Sequence, residues 1–176
     1  MTLSELITTR ISHDLAGIVG ALYNTTELIE IDPSFGNEAG PILKNSTSVL
    51  MTRLKFFRAL FGTNKDPIQT SLVVQYLKTL SASFDLIGET TTREQMAGVL
   101  ICADMMIRGG KITVLQNEII ATGQIKPDDA LQLALEGQVD KISPKLAPVA
   151  WLTQKTAQKN RQIKASYQPD RMILTF

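Results

Sequence analysis

Residues 2–31 read TLSELITTRISHDLAGIVGALYNTTELIEI, and this stretch is predicted to form one long helix. Its apolar side chains recur every three, four or seven residues, as expected for one face of an α-helix. The members of this stripe are Leu3, Ile7, Ile11, Leu15, Ile18, Leu22 and Ile29. An isolated amphipathic helix is marginal in water, so the stripe needs a second apolar surface to cover it.

A second helix is predicted over residues 37–61. The preceding segment DPSFGNEAGP, residues 32–41, contains two Pro and two Gly and is typical of a turn. Asn37 is the expected N-cap, with Glu38 in the favourable first turn. The apolar side of this helix comprises Ala39, Leu43, Ser46, Leu50, Leu54, Phe57 and Phe61.

The two helices together predict a helical hairpin over residues 1–63. Two helices bury little apolar surface, so a second copy of the hairpin is expected to complete a four-helix bundle. This predicts a homodimer. The segment from Gly62 to Pro67 is interpreted as a linker, which leaves residues 67–176 as a second domain.

The second domain shows a different pattern of elements. Helices are predicted over 72–84, over 92–108 with a capping box from Thr92 and Gln95, from Pro127 to before Gly137, and from Ser143 to about Asn160. Gly109 and Gly110 are expected to end the second of these helices. Strands are predicted over 111–116, 119–124, 163–167 and 171–176. This order predicts an α/β sandwich with a mostly antiparallel sheet, and hence an α+β chain overall.

Composition excludes several classes of function. The 176 residues include 18 Lys and Arg and 17 Asp and Glu, a net charge of +1, so no cationic field favours nucleic acid. The single Cys102 cannot form an internal disulfide, which fits a reducing compartment. No apolar stretch is long enough to span a membrane, and Glu5 interrupts what would be an export signal. We therefore expect a cytoplasmic protein without membrane or nucleic-acid partners.

The chain contains one histidine, His13, so any imidazole chemistry depends on it. With one His and one Cys, a zinc site of the usual kind is excluded. On a helical wheel His13 lies about 200° from Ile11, on the side opposite the stripe. Its neighbours on that side are short or small: Thr9, Ala16, Gly17, Gly20 and Asn24. Glycines inside a helix cost stability, so this cleared patch suggests room for another molecule; the alternative is a plain surface histidine with glycines that ease helix packing.

Several charged and aromatic residues have two open interpretations. Arg10, one turn before His13, would attract a phosphate and Asp14 would orient the imidazole, or the two form a solvated pair. Phe56 lies about 240° from Leu50 on the second helix, as either a docking anchor or a contact with the second domain. Arg53 and Arg58 either face an acidic partner or are solvated.

The run Arg10-Ile11-Ser12-His13-Asp14-Leu15 resembles the phosphoacceptor box of two-component signalling proteins, most closely that of the alphaproteobacterial ChpT-type histidine phosphotransferases. The end of the second helix, residues 56–62 (FFRALFG), is similar to the aromatic-Arg-x-x-Phe-Gly segment of that family. The α/β part that follows, including residues 105–110 (MMIRGG), is similar to that of the family in order and length. The resemblance covers nearly the whole chain.

The resemblance implies a homodimer formed through the hairpin and a second domain like a histidine-kinase ATPase domain that has lost nucleotide binding. Such a site needs an Asn on a helix, an Asp-x-Gly-x-Gly turn and glycine-rich phosphate loops. The corresponding helix, residues 96–104, contains no Asn, and no D-x-G-x-G occurs in the sequence. We therefore expect no ATP and no cofactor of the protein's own.

The implied function is a phosphorelay in which His13 accepts a phosphoryl group from the aspartate of one receiver domain and passes it to another. The receivers, including that of a hybrid histidine kinase, would bring their own Mg²⁺. Ala16, Gly17, Gly20, Asn24, Phe56 and Arg58 are the candidate docking residues. The alternatives are a non-catalytic dimeric adaptor, a histidine kinase that still binds ATP, and a phosphatase that uses His13 and Asp14.

Overall fold

Two long helices form a hairpin at the start of the chain, as the apolar stripes predict. A computed structural model describes residues 1–63 and 67–176. Helix α1 (Leu3–Ile31) and helix α2 (Gly36–Phe61) pack along their lengths and are joined by a 3-10 turn (Pro33–Phe35). The middle of the predicted linker, residues 64–66, lies outside the described residues.

The start of α2 differs from the sequence prediction. Asp32, rather than Asn37, caps this region: its side chain accepts a hydrogen bond of 2.9 Å from the backbone N–H of Ser34. The 3-10 turn then runs directly into α2 at Gly36, so Asn37 is already inside the helix. The predicted turn over 32–41 is correspondingly too long, because Pro41 is accommodated within the first turns of α2.

The second part of the chain is a two-layer arrangement of helices on one face of a mixed sheet. Its helices are α3 (Thr70–Leu77), α4 (Arg93–Met105), α5 (Leu131–Leu135) and α6 (Ala147–Ala157). Its strands are β1 (Ser83–Ile87), β2 (Gly109–Val114), β3 (Glu118–Thr122), β4 (Lys164–Gln168) and β5 (Arg171–Thr175). The strand order is β1-β2-β3-β5-β4, parallel between β1 and β2 and antiparallel elsewhere. The predicted α+β class and mostly antiparallel sandwich are confirmed.

Strand β1 is missing from the sequence prediction, which extended one helix to Phe84. Helix α3 ends at Leu77, and residues Ser83–Ile87 form an edge strand that pairs with β2. Within β1 burial alternates, with Phe84 and Leu86 on the inner face and Asp85 exposed. Period-2 alternation is the signature of a half-buried strand, and over five residues it is easily mistaken for the end of a helix.

Gly109 and Gly110 do not end α4; they open strand β2. The capping box of Thr92 and Gln95 is confirmed, but α4 ends at Met105 rather than at Arg108. Gly109 has φ +80° and lies so close to the backbone of Ser83 that a side chain would collide with it. Glycine is needed here for close approach between parallel strands, a tertiary requirement.

The last two predicted helices also begin or end at different residues. Pro127 precedes a turn, and α5 starts only at Leu131, although it ends before Gly137 as expected. The side chain of Ser143 makes no capping hydrogen bond; a 3-10 turn (Pro144–Leu146) leads into α6, which ends at Ala157. The predicted extension of this helix to Asn160 is therefore wrong.

Helix α4 is the centre of the core. Nearly all of its residues are buried, because it packs against β2 and β3 on one side and against α6 and α2 on the other. Gly98 allows the closest approach, since a Cβ at this position would lie 2.7 Å from a side-chain carbon of Ile119. Within the described ranges, no helix is long and apolar enough to cross a membrane.

Phe56 belongs to the core, which corrects its candidacy as a docking anchor. Its side chain is fully buried and stacks on Tyr76 of α3, with ring centroids 3.7 Å apart and planes 16° from parallel. The alternative interpretation, a contact between the hairpin and the second domain, is confirmed. Phe56 lies outside the apolar stripe of α2 on the helical wheel because it packs against α3.

A buried charge cluster makes a second junction between the hairpin and the second part of the chain, residues 67–176, which we call the sheet domain. The guanidinium of Arg10 donates from Nε to Asp14 Oδ2 at 2.9 Å and from Nη2 to Asp104 Oδ1 at 2.9 Å. Its Nη1 donates to the carbonyl oxygen of Lys145 at 3.2 Å. Helix α1 is thereby tied to α4 and to the 3-10 turn before α6.

Replacing Phe56 by Ala is expected to lower the free energy of unfolding by about 3–5 kcal/mol, because it opens a cavity beside Tyr76. Denaturant unfolding measures this loss. The control Lys55→Ala, at an exposed neighbouring position, should change stability by less than about 0.5 kcal/mol. Wild-type stability in Phe56→Ala would contradict the core role.

Replacing Asp104 by Ala is expected to cost about 3 kcal/mol, because it leaves the buried Arg10 with a single carboxylate. Thermal or denaturant unfolding tests this, with Glu136→Ala as an exposed acidic control. Equal stabilities of the two variants would show that the junction contributes nothing.

Candidate functional site

The candidate site is centred on His13, which lies in the middle of α1 and points away from the hairpin core. Its side chain is 86% exposed, as the helical wheel predicts. Residues of the apolar stripe, such as Ile11 and Leu15, are half-buried on the other side of the helix. An exposed imidazole is accessible to a second protein without any rearrangement of this helix.

Asp14 is the nearest charged group to the imidazole. Its Oδ1 lies 3.6 Å from His13 Nδ1, longer than a hydrogen bond but close enough for electrostatic attraction. The Asp14 carboxylate is held through Oδ2 by Arg10, and the Asp14 carbonyl oxygen accepts from Arg53 Nη1 at 2.9 Å. The carboxylate beside the imidazole is therefore fixed in position.

Arg10 is buried, so the interpretation of Arg10 and Asp14 as a solvated pair is wrong. Burial alone would lower the pKa of Arg10, but the charges of Asp104 and Asp14 outweigh it and raise that pKa. The guanidinium is a permanent cation whose donors are directed at protein groups. Arg10 thus holds Asp14 in place, and its predicted attraction for phosphate would act only over a distance.

Asp104 completes the charge cluster from the side of α4. Burial raises the pKa of its carboxyl group, and the charge of Arg10 acts in the opposite direction. One of its oxygens, Oδ2, is buried without a hydrogen-bond partner among the described residues. Asp104 interrupts an apolar run in the sequence, and a charge at such a position must be paired when buried. That signal could have identified Asp104 as a residue of interest, but it could not name Arg10 as its partner.

Arg53 makes a further link that the sequence did not reveal. It is neither solvated nor directed at a partner: Nη2 donates to the carbonyl oxygen of Thr79 at 2.8 Å and Nε to the Thr79 hydroxyl at 3.2 Å. Together with its bond to Asp14, this connects both hairpin helices to the turn after α3. Arg58, in contrast, is exposed as predicted.

A cleft of about 420 Å³ separates His13 from the second domain. Hairpin residues form one wall and the sheet domain forms the other, and its lining comprises Thr9, Arg10, His13, Asp14, Asp104, Ser143, Pro144 and Lys145. The sequence alone did not indicate Ser143 or Lys145 as neighbours of His13, because more than 120 residues separate them along the chain. The site is therefore built by both parts of the molecule.

The small residues predicted to share a side with His13 do lie on the surface. Ala16, Gly17 and Asn24 are exposed and Gly20 is half-exposed. A Cβ added at Gly17 or Gly20 would meet no atom within 4 Å, so packing inside this chain does not require glycine at either position. The glycines therefore do not serve the hairpin fold itself, and their role as a docking surface stays a prediction.

The described ranges, 1–63 and 67–176, contain no group of three or more His, Cys, Asp or Glu side chains placed to hold a metal ion. The acidic groups of the site are Asp14 and Asp104, and Arg10 lies between them. The site thus combines the exposed imidazole of His13, the fixed carboxylate of Asp14, and two cations, Arg10 and Lys145.

Comparison with solved structures shows a similar fold. A structure described as that of a bacterial phosphotransferase superposes with a TM-score of 0.77 at 19% sequence identity. The alignment covers 98% of this chain and 94% of that one, so hairpin and sheet domain are arranged alike in the two proteins. No curated protein matches the sequence significantly.

The family comparison concerns the sheet domain. Residues 74–171 match the model of the histidine phosphotransferase C-terminal domain, which is more than half of the chain. The match begins within α3 and ends at the start of β5, and therefore spans α4 and the turn that carries Lys145. On this evidence the chain belongs to the histidine phosphotransferase family.

Proposed function

We propose that the protein relays a phosphoryl group between the aspartates of receiver domains, with His13 as the phosphoacceptor. The observation that carries the proposal is the exposure of this one imidazole in the middle of a helix, on a surface cleared of large side chains. A receiver must bring an aspartyl phosphate within bonding distance of a ring nitrogen, which a crowded helix surface would prevent. Family membership supports receiver domains of response regulators as the partners.

The proposed step is an in-line displacement at phosphorus. A lone pair of His13 Nε2 forms the P–N bond while the P–O bond to the aspartate of the receiver breaks, and the electron pair leaves with that carboxylate. The Nδ1 proton stays on the imidazole, where the carboxylate of Asp14 stabilises the positive charge that develops. The reverse step delivers the phosphoryl group to a second receiver. Such transfers depend mainly on positioning and charge neutralisation.

The metal and nucleotide requirements follow from the proposed transfer between His13 and the aspartates of receiver domains. We expect each receiver domain to supply its own Mg²⁺, and the present chain to need no cofactor. The sheet domain is proposed to be a degenerate relative of the histidine-kinase ATPase domain. Its α4 lacks the Asn, and the chain lacks the Asp-x-Gly-x-Gly turn, on which nucleotide binding in that class depends.

The hairpin, residues 1–63, is proposed to act also as the dimerisation unit. Large apolar side chains remain exposed along it, on both helices: Val19, Tyr23, Leu28, Ile31, Phe35, Ile42, Met51 and Leu54. An apolar surface of this extent is unusual on a monomer and favours burial against a second copy. The proposed bundle would leave the exposed side chain of His13 accessible to a receiver. Residues 67–176 would flank the bundle.

The proposed partners are receiver domains of response regulators, including that of a hybrid histidine kinase, and each can give or accept the phosphoryl group. We place the relay in the cytoplasm, because the unpaired Cys102 fits a reducing compartment. Ala16, Gly17, Gly20, Asn24 and Arg58 are the proposed docking residues. Phe56 is excluded from that set by its burial.

Replacing His13 by Ala is expected to abolish phosphotransfer and leave the fold unchanged. The side chain makes no core contact, so the free energy of unfolding should change by less than about 0.5 kcal/mol. The assay incubates a radiolabelled phospho-receiver and Mg²⁺ with wild type or His13→Ala. Acid-labile, alkali-stable label on the wild type alone supports the relay.

Three other outcomes would contradict the relay. Receiver binding without any label on the wild type would indicate an adaptor. Release of inorganic phosphate without a labelled intermediate would indicate a phosphatase. Binding of ATP in a calorimetric titration, followed by labelling of His13, would indicate a kinase.

Replacing Gly17 by Ala is expected to stabilise α1 and yet impair transfer. The added methyl group meets no atom of this chain, so helix propensity should raise stability by about 0.5–1 kcal/mol. If a receiver packs here, transfer should slow at least about tenfold, a loss of 1.4 kcal/mol in binding or barrier. Gly40→Ala, in an equally open position on α2, is the matched control for single-turnover transfer. Full activity of Gly17→Ala would exclude the small-residue patch as the docking surface.

A further inference from the structure

Lys145 lies across the cleft from His13, in the 3-10 turn before α6. We propose that its ammonium group contacts the phosphoryl group during transfer to and from His13, so that the sheet domain contributes a catalytic residue. This inference rests on the proposed role of His13 as phosphoacceptor. It goes beyond that role because it makes the reaction site a joint product of the two parts of the chain.

The backbone of Lys145 is fixed beside α1. Its carbonyl oxygen accepts the 3.2 Å hydrogen bond from Arg10 Nη1, and Arg10 precedes His13 by one helical turn. His13 and Lys145 line the same cleft, and the proposal is that the lysine side chain extends across it to a group bound to the imidazole. A lysine side chain spans four methylenes, so it can follow the phosphoryl group as the bond to His13 forms or breaks.

The side chain of Lys145 is available, unlike the other cation of the cleft. Arg10 directs its donors at Asp14, Asp104 and a backbone carbonyl. Lys145 is exposed, and within residues 1–63 and 67–176 its ammonium makes no ion pair or hydrogen bond. Its positive charge acts to lower the pKa of Asp104, which is consistent with an ammonium group on the cleft side of the turn.

A cation on the facing wall of the cleft would offset the negative charge that the phosphoryl group brings. The carboxylates of Asp14 and Asp104 already engage Arg10, and the guanidinium of Arg53 is bonded to the carbonyl oxygens of Asp14 and Thr79. The phosphoryl group adds up to about two further negative charges next to Asp14. Repulsion between like charges at this range slows the approach of an aspartyl phosphate unless a cation offsets it. An unpaired ammonium on the facing wall is the group that the described residues offer to offset this repulsion.

In the proposed transfer, the P–N bond to His13 Nε2 forms as the P–O bond to the aspartate of the receiver breaks. Lys145 exchanges no proton and forms no covalent bond. It donates a charge-assisted hydrogen bond to a non-bridging phosphoryl oxygen in the transition state and in the phosphohistidine. The receiver and its Mg²⁺ leave with the carboxylate, after which Lys145 would remain the contact of the phosphoryl group.

Single-turnover transfer from a radiolabelled phospho-receiver to His13 tests the proposal. Lys145→Ala and Lys145→Gln should slow transfer by roughly 10- to 100-fold, less than for a fully enclosed donor because the cleft is open to water. Lys145→Arg should retain most of the rate. The matched control is Lys141→Ala, which removes the same charge from an exposed position in the neighbouring 3-10 turn (Val139–Lys141) outside the cleft. It should stay within about twofold of wild type, since only long-range steering is lost.

Binding of the unphosphorylated receiver, measured by calorimetry, separates chemistry from docking. Unchanged affinity of Lys145→Ala together with slow transfer supports the proposal. An affinity loss equal to the rate loss would make Lys145 a docking residue and overturn it, as would a wild-type rate in Lys145→Ala. Failure of wild type itself to become labelled would instead overturn the proposed function of His13. A slow Lys141→Ala would show that the effect is general electrostatic steering.

Discussion

The pairing of the buried Arg10 with carboxylates from two parts of the molecule is the constraint on which the site depends. A guanidinium removed from water must be fully paired, and here Asp14 of the same helix and Asp104 of α4 supply the charges. Sliding or rotating α1 against the sheet domain would break one of these pairs and leave a buried charge behind. The junction therefore fixes where His13 lies relative to the opposite wall of the cleft. The stacked rings of Phe56 and Tyr76 hold the other helix of the hairpin in the same way.

The two parts of the chain contribute different things to the proposed reaction. The hairpin offers the nucleophile on an open helix surface, and its exposed apolar residues favour a second copy. The sheet domain, packed around α4 and open to solvent on one sheet face, offers Asp104 and Lys145. Asp104 also helps to orient Asp14 through Arg10, and the sheet domain forms one wall of the cleft.

Local signals in the sequence were sufficient for the elements whose form is decided locally. The stripes of α1 and α2, the capping box at Thr92 and the exposure of His13 follow from helical periodicity and cap chemistry. Strand β1, the role of Gly109 and the burial of Phe56 do not, because each depends on a neighbour far away in the chain. Likewise, Asp104 is conspicuous in an apolar run, but only the fold shows that Arg10 pairs with it. The sequence could therefore not predict which residues of the site contact each other, although it did identify His13 as the central one.

The fixed junction has a consequence for how a signal would pass through this protein. An enzyme that must swing a domain towards its histidine and then withdraw it can be gated at either stage. Here the hairpin and the sheet domain are already joined by Arg10 and by the bonds of Arg53 to Asp14 and Thr79. In the proposed relay these bonds would hold the hairpin and the sheet domain together throughout the transfer. Phosphoryl groups would then flow by mass action, from the receiver population that is more highly phosphorylated to the one that is less so. The same site would serve both phosphorylation and dephosphorylation of the final receiver.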